Sequence, residues 1–173
     1  MRPACPGGQG ACPIPPGGPI SDVHGIAYTS VAFPMPAADL VALLEGARRF
    51  NAMVGVTGVL FHHAGRFFQY FEGDEDAVNR VHARIIASPR HHSLRVLLDG
   101  PQPERLFASW YMGFCEAPQN AFQAIANAGW ASAMPLTRSS LHRSEALSLV
   151  LSHWSRWVAD QPEKAPRDAI ALR

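Results

Sequence analysis

Apolar positions between Val23 and Phe114 follow two different spacings, and each spacing predicts a different kind of element. Short runs rich in β-branched and aromatic residues predict strands, whereas apolar residues three and four positions apart predict helices. Pro34 and Pro36 end the first run, and Gly65 suits the turn of a hairpin. The predicted strands are Val23–Phe33, the two arms of a hairpin within Gly55–Gly73, Leu94–Pro101 and Arg105–Phe114. The predicted helices are Ala37–Asn51 and one that begins at Asp74 and ends before Pro89.

The order of these elements is strand, helix, strand, strand, helix, strand, strand. It predicts an α+β fold of ferredoxin-like type, in which a mixed five-stranded sheet carries two helices on one face. Helical spacing returns over Pro118–Ala128 and Thr137–Asp160, which predicts a two-helix C-terminal extension. Trp154 and Trp157 belong to the apolar stripe of the second of these helices. We expect the stripe to cover the open face of the sheet, and an intermolecular interface is the alternative.

Composition divides the chain into four parts. Residues 1–22 contain six prolines and five glycines, too many breakers for a packed element, and are predicted to be a disordered leader. Residues 23–115 form the predicted sheet domain, and residues 116–161 form a helical cap or output segment. Residues 162–173 are predicted to be a flexible tail.

Bulk properties narrow the class of function. The 173 residues include 15 basic and 14 acidic residues without a basic stripe, so neither nucleic acid nor an anionic membrane is an expected partner. The chain has no apolar run of membrane-spanning length, and a cytoplasmic location is predicted. The odd number of cysteines (Cys5, Cys12 and Cys115) indicates reduced thiols. Neighbouring histidines on a strand, as in His62–His63 and His91–His92, point to opposite faces, so no metal site is predicted.

One predicted strand contains an amide among aromatic side chains, because Gly65–Gly73 has the sequence GRFFQYFEG. Alternation places Gln69 on the same face as Phe67 and Phe71. If that face is covered, the amide needs polar partners, since leaving it unpaired would cost about 1 to 3 kcal/mol. The sequence therefore predicts that something polar meets Gln69.

Four other side chains are candidates to share a site with Gln69, because they are hydrogen-bonding or polarisable: Tyr28, Asn51, Trp110 and Met112. Each also has an ordinary structural explanation, as a core aromatic, a helix end or core filling. Together they indicate a site for a flat ring with polar edges, because Asn and Gln each offer a donor and an acceptor. No glycine-rich phosphate loop, serine elbow or Ser-x-x-Lys motif is present, so no enzyme activity is predicted.

Six short motifs in order resemble those of the BLUF domains, which are blue-light sensors that use flavin. The motifs are Tyr28–Ser30, Ala47–Asn51, Val56–Leu60, Phe68–Gly73, Pro89–His91 and Trp110–Phe114. Any one of them is weak evidence, but all six with family-like spacing cover the whole predicted sheet domain.

The resemblance implies a flavin held between the two helices, FAD with FMN as the alternative. It also implies that Gln69 bridges the Tyr28 hydroxyl and the flavin ring. In the family, light drives electron and proton transfer from the tyrosine to the flavin, and recombination leaves the glutamine with a rearranged or tautomeric hydrogen bond. The resemblance further implies that Asn51 holds the polar edge of the ring and that Ser30 supports the network.

The remaining roles implied by the resemblance concern the flavin phosphate and the output. Arg48, Arg90 and His91 are the residues expected to approach the phosphate, and Trp110 and Met112 are expected to relay the signal. Two departures from the family pattern are Ser88, where aspartate is common, and Phe71, where leucine is common. The first puts the phosphate contacts in question, whereas the second is a packing change.

The implied output is a change of contacts through self-association or with a separate partner protein, since the 59 residues after Phe114 are too few for a cyclase or phosphodiesterase domain. The alternative is a ferredoxin-like interaction module without flavin, which would purify colourless. A third hypothesis is an acylphosphatase-type enzyme that uses Arg48 and Asn51 on phosphate.

Overall fold

The computed structural model describes residues 22–130 and 145–161. The predicted leader, apart from Asp22, lies outside the described residues, as do the predicted tail from residue 162 and the first part of the predicted last helix, residues 137–144. Within the described residues, no helix is both long enough and apolar enough to cross a membrane.

The five strands form a single mixed sheet. In chain order they are β1 (Val23–Ala32), β2 (Thr57–His63), β3 (Arg66–Asp74), β4 (His91–Pro101) and β5 (Gly113–Glu116). Their order across the sheet is β4-β1-β3-β2-β5. The pairs β1–β3, β1–β4 and β2–β3 are antiparallel, whereas β2 and β5 are parallel. The predicted ferredoxin-like α+β fold is confirmed.

Four helices accompany the sheet in the described residues: α1 (Ala37–Val54), α2 (Glu75–Ile86), α3 (Gln119–Ala126) and α4 (Glu145–Asp160). Helix α1 ends at Gly55, whose φ of 72° lies in the left-handed region that favours glycine. Helix α2 begins after Asp74, whose carboxylate accepts hydrogen bonds from the backbone N–H groups of Asp76 and Ala77 at 3.1 and 3.4 Å. The predicted start of α2 agrees with the structure, whereas α1 continues three residues beyond its predicted end at Asn51, to Val54.

The bounds predicted for the fifth strand were wrong. The prediction was Arg105–Phe114, but β5 covers only Gly113–Glu116. The aromatic residues before it are held by other contacts: the Phe107 N–H donates to a Glu72 carboxylate oxygen at 2.6 Å, and the Trp110 N–H donates to the Phe107 carbonyl at 2.9 Å. Trp110 and Met112 therefore lie in an irregular segment before β5, not on the strand.

The sheet separates two hydrophobic cores. On the α1 and α2 face, the buried side chains include Ile26, Tyr28, Leu60, Phe67, Phe71 and Val78. On the opposite face, α3 and α4 pack over Phe61, Phe68, Tyr70 and Leu98. Trp154 of α4 is 3% exposed and belongs to this second core, with Trp157 stacked on it at a ring distance of 4.9 Å. The apolar stripe of α4 thus covers the sheet, as expected.

Candidate functional site

A cavity of about 240 Å³ lies between α1, α2 and the sheet. Its walls are mainly apolar, and its polar side chains come from both helices, from the sheet and from the turn after α2. The lining residues that carry the argument below are Tyr28, Phe50, Asn51, Gln69, Arg84, Arg90 and His91.

Tyr28 and Gln69 are bonded to each other on the sheet side of the cavity. They are directly opposite each other in the antiparallel β1–β3 ladder, so their side chains emerge on the same face. The Tyr28 hydroxyl donates to Gln69 Oε1 at 2.5 Å, and the two residues are 3% and 6% exposed. Burial raises the pKa of the Tyr28 phenol far above its ordinary value, so the hydroxyl keeps the proton that it donates.

The other end of the Gln69 amide faces sulfur. Gln69 Nε2 donates to Met112 Sδ at 3.4 Å, and Met112 is 2% exposed. Thioether sulfur is a weak acceptor, so this bond is easier to exchange than the one with Tyr28. Gln69 therefore connects the Tyr28 hydroxyl on β1 with a weak acceptor just before β5.

Asn51 is buried at the last turns of α1 and also lines the cavity. Its Nδ2 donates to the Tyr111 carbonyl at 2.7 Å. Among the described residues, no hydrogen bond reaches its Oδ1, which is therefore available to a ligand N–H. The prediction that Asn51 belongs to the site agrees with its position.

Two of the predicted site residues have a buried polar atom without a hydrogen-bond partner among the described residues, Ser30 (Oγ) and His91 (Nδ1), and only His91 lines the cavity. Ser30 is opposite Phe67 in the β1–β3 ladder and thus lies on the α1 and α2 face. His91 lies close to Tyr28, with ring centres 6.2 Å apart, and its Nε2 is bonded to the Ile85 carbonyl. Unpaired buried polar atoms are costly, and a polar ligand in the cavity would relieve that cost.

The three residues predicted to contact the flavin phosphate lie in two different places. Arg90 lines the cavity and donates to the Asp39 carbonyl at 3.2 Å, but Arg48 does not line it. Instead, Arg48 Nε donates to the Met112 carbonyl at 2.9 Å, and Arg48 lines a neighbouring groove between α1 and β5. The structure therefore brings Arg90 and His91, but not Arg48, into the cavity.

Sequence reasoning missed Arg84, an exposed residue that lines the cavity near its opening. Its guanidinium lies over the Phe50 ring at 4.8 Å from the centre, so it adds positive charge beside an aromatic wall. Helical spacing could have indicated it, because Arg84 follows the cavity residue Val81 by three positions and so lies on the same face of α2.

Trp110 and Met112 point to opposite faces of the sheet. Met112 belongs to the α1 and α2 core beside Gln69, whereas Trp110 packs edge-on against Trp154 with ring centres 4.7 Å apart. The two residues predicted to relay a signal therefore contact different layers. No group of three or more His, Cys, Asp or Glu side chains able to hold a metal occurs in the described part of the chain.

Residues 23–113 match the BLUF family, described as sensors of blue light using FAD. The chain therefore belongs to the BLUF family. The match covers the whole sheet up to the first residue of β5, and with it Tyr28, Asn51, Gln69 and the cavity. The resemblance inferred from the six motifs is confirmed, and so is the expected function class, a flavin-based blue-light sensor.

The chain is also similar to a named relative and to two solved structures. A photoactivated adenylate cyclase subunit beta from Euglena gracilis is 40% identical over 76 residues, which are 44% of this chain and 9% of that protein. The dark-state structure of BlrB has a TM-score of 0.59 at 24% identity and covers 79% of this chain and 98% of its own. The photo-activated structure of BlsA has a TM-score of 0.58 at 27% identity, with coverages of 75% and 92%.

The residues present fit the FAD that the BLUF family uses. The cavity offers amide groups for the polar edges of a flat ring, apolar walls for its faces and arginines at its opening. The two unpartnered polar atoms, Ser30 Oγ and His91 Nδ1, are further evidence of a polar ligand. The expectation of a sensor domain, and not of an enzyme active site, agrees with the family.

Proposed function

We propose that Tyr28 and Gln69 are the photochemical pair of this BLUF domain. The observation that supports this most directly is their 2.5 Å hydrogen bond at the wall of the cavity. Bound FAD supplies the absorption of blue light and, once excited, an acceptor for an electron. Tyr28 is the donor, because its phenol is buried beside the cavity and its proton already points at Gln69 Oε1.

The response of the protein is a change in the Gln69 amide. When Tyr28 gives up its proton across the short bond and then recovers it, the carboxamide can return in a different orientation or tautomer. A carboxamide has an acceptor at one end and a donor at the other, so reversing it exchanges the groups that face its neighbours. After reversal, oxygen instead of N–H faces Met112 Sδ, and the 3.4 Å hydrogen bond is lost.

The remaining cavity residues hold the cofactor. Asn51 Oδ1 accepts from a ring N–H, and Ser30 and His91 pair their free polar atoms with the cofactor or with water that it orders. Arg90 and Arg84 are near enough to the opening to attract the phosphates. FMN has the same ring and one phosphate, so chromatography of the released cofactor distinguishes it from FAD.

The output is a change of protein contacts, either between copies of this chain or with a separate protein in the cytoplasm. Loss of the Met112 bond loosens the segment before β5, whose Trp110 contacts Trp154 of α4. The exposed surface of α4 and the groove beside β5 are thus the surfaces expected to differ between darkness and light. The Euglena relative is named as a subunit of a photoactivated adenylate cyclase, and we propose no cyclase activity for this chain.

Visible spectra before and just after blue light test the photochemical pair. The wild type is expected to carry flavin and to show a shift to longer wavelength that decays in darkness. Gln69→Leu should bind flavin but lose the shift, and Tyr28→Phe should lose it too. Gln102→Leu is the matched control, because Gln102 is also a buried glutamine but is bonded to the Gly100 carbonyl and does not line the cavity. A shift that survives in Gln69→Leu would overturn the proposal, and colourless protein that takes up no FAD would favour the interaction module.

A further inference from the structure

Three consecutive carbonyl groups before β5 each accept a hydrogen bond from another element. The Trp110 carbonyl accepts from the Gly58 N–H of β2 at 2.7 Å. The Tyr111 carbonyl accepts from Asn51 Nδ2 at 2.7 Å, and the Met112 carbonyl accepts from Arg48 Nε at 2.9 Å. Helix α1 thus supplies two of the three donors.

These bonds matter because residues 105–112 are outside the sheet ladder. Strand pairing of β5 with β2 begins at the Val59–Gly113 pair, so it does not fix the backbone of the residues before Gly113. The position of Met112 Sδ against Gln69 therefore depends on how this irregular backbone is held.

Arg48 acts at the residue whose sulfur contacts Gln69. Its bond to the Met112 carbonyl is charge-assisted, and such bonds are shorter and stronger than those between neutral groups. Arg48 lines the groove beside β5, along with Met112, and is not among the residues around the cavity that contains Tyr28 and Gln69. Its contacts therefore lead to Met112 and not to a cofactor phosphate.

We infer that Arg48 is a positioning residue, which holds Met112 Sδ within hydrogen-bonding distance of Gln69 and so sets the lifetime of the light state. The inference rests on the proposed role of Gln69, which it deepens. It also replaces the expectation that Arg48 contacts the flavin phosphate.

The test compares Arg48→Leu with Arg49→Leu. Arg49 is the neighbouring exposed arginine, without a hydrogen bond or ion pair among the described residues, so it controls for the loss of one positive charge. Arg48→Leu should retain as much FAD through gel filtration as the wild type and should change the dark-recovery rate about threefold to tenfold. Arg49→Leu should change neither quantity.

Two measurements distinguish the positioning of Met112 by Arg48 from a general loss of order in the segment before β5. In a Met112→Leu background, Arg48→Leu should have no further effect on recovery, because the sulfur through which it acts is gone. In flavin-free protein labelled with 13C-methyl methionine, Arg48→Leu should shift the Met112 methyl resonance, and Arg49→Leu should leave it in place. The resonance is assigned from its disappearance in Met112→Leu.

Three results would overturn the inference. The first is a loss of FAD retention in Arg48→Leu but not in Arg49→Leu, which would support a contact of Arg48 with the flavin phosphate. The others are an equally large effect of Arg48→Leu on recovery in the Met112→Leu background, and a Met112 resonance that does not shift in Arg48→Leu. Failure of the proposed photochemistry looks different, because the wild type itself would then show no light-induced shift. The resonance of the flavin-free protein would still report whether Arg48 positions Met112.

Discussion

The two faces of the sheet satisfy their buried polar groups in different ways. On the α1 and α2 face, the buried atoms Ser30 Oγ, His82 Nε2 and His91 Nδ1 have no hydrogen-bond partner among the described residues. On the opposite face, Glu72 is fully buried and accepts from the Tyr70 hydroxyl at 2.8 Å and from the Phe107 N–H at 2.6 Å. Among the described residues, the first face thus has buried polar atoms left for a ligand, whereas Glu72 on the other face is satisfied by the protein itself.

This difference assigns separate tasks to the two layers. The α1 and α2 face contains the cavity and gives up some stability to keep polar atoms available to a cofactor. Burial also lowers the pKa of His82, which favours its neutral form on this face. The opposite face is packed by aromatic rings and is expected to supply stability.

One close contact of the packed face involves Gly113, the residue after Met112. A Cβ added at Gly113 would clash with the Trp154 ring, so the indole packs directly against the backbone where β5 begins. Trp154 also contacts Phe61, Phe107 and Trp110 edge-on. The two layers therefore meet at Met112 and Gly113.

The largest expected effect tests the packed face. Trp154→Ala removes a side chain that is 3% exposed and leaves a cavity among aromatic rings, so we expect a loss of about 3 to 5 kcal/mol in the free energy of unfolding. Urea unfolding followed by circular dichroism measures it. Trp157→Ala is the matched variant and should cost less, because Trp157 is only partly buried. Equal losses in the two variants would mean that Trp154 is not the anchor of α4.

The next effect tests the incomplete face. A ligand that binds only the folded state at 100 times its dissociation constant raises the free energy of unfolding by about 2.7 kcal/mol. We expect FAD to do this for the flavin-free protein in the dark, as measured by urea unfolding. Asn51→Leu should lose most of the gain, whereas Trp157→Ala should keep it. A gain that is unchanged in Asn51→Leu would place the cofactor elsewhere.

A smaller effect depends on pH and returns to the packed face. Burial raises the pKa of Glu72 above its ordinary value of 4.5, although hydrogen bonds from the backbone and Tyr70 and the charge of Arg105 oppose the shift. The folded state then binds the proton more tightly than the unfolded state. The resulting stability is fully present below pH 4.5 and is lost as pH rises through the raised pKa.

Glu72→Gln should remove this pH dependence and change the free energy of unfolding at neutral pH by about 1 to 2 kcal/mol. Glutamine resembles the protonated acid and keeps an acceptor for the Phe107 N–H. Urea unfolding at several pH values measures the slope, and Glu45→Gln on the exposed side of α1 is the control. A slope that persists in Glu72→Gln would show that another group causes it.

Local sequence patterns correctly predicted features that depend on a single element, such as the face of a strand on which a side chain lies. Alternation placed Gln69 with Phe67 and Phe71, and the structure confirms that both phenylalanines belong to the α1 and α2 core. The pairing of Tyr28 with Gln69 depends on the register of two strands 41 positions apart in sequence, which no local pattern contains. That pairing came from the family resemblance.

The wrong predictions also concern contacts between parts of the chain that are distant in sequence. The segment 105–112 has strand-like composition, but its Phe107 and Trp110 pack against α4 and its neighbours. A strand was predicted there because β-propensity mainly measures how well a residue fits a half-buried surface, which these residues do outside a strand as well. Arg48 and Asn51 are three positions apart on α1, yet only Asn51 lines the cavity. The long Arg48 side chain reaches Met112 instead, and sequence spacing does not show where such a chain ends.

The smallest expected effect has the most specific sign. Ser30→Ala removes a buried hydroxyl without a partner among the described residues, so the flavin-free protein should gain about 1 kcal/mol in the free energy of unfolding. The same substitution should weaken FAD binding, because the hydroxyl is then missing where the ligand needs it. Urea unfolding with and without FAD gives both quantities, and Ser109→Ala, at the groove beside β5, is the control. Opposite signs in the two measurements would mark Ser30 as a group kept for the ligand. A loss of stability in the flavin-free protein would mean that the hydroxyl already has a partner, and the contrast between the two faces would then be weaker than the structure indicates.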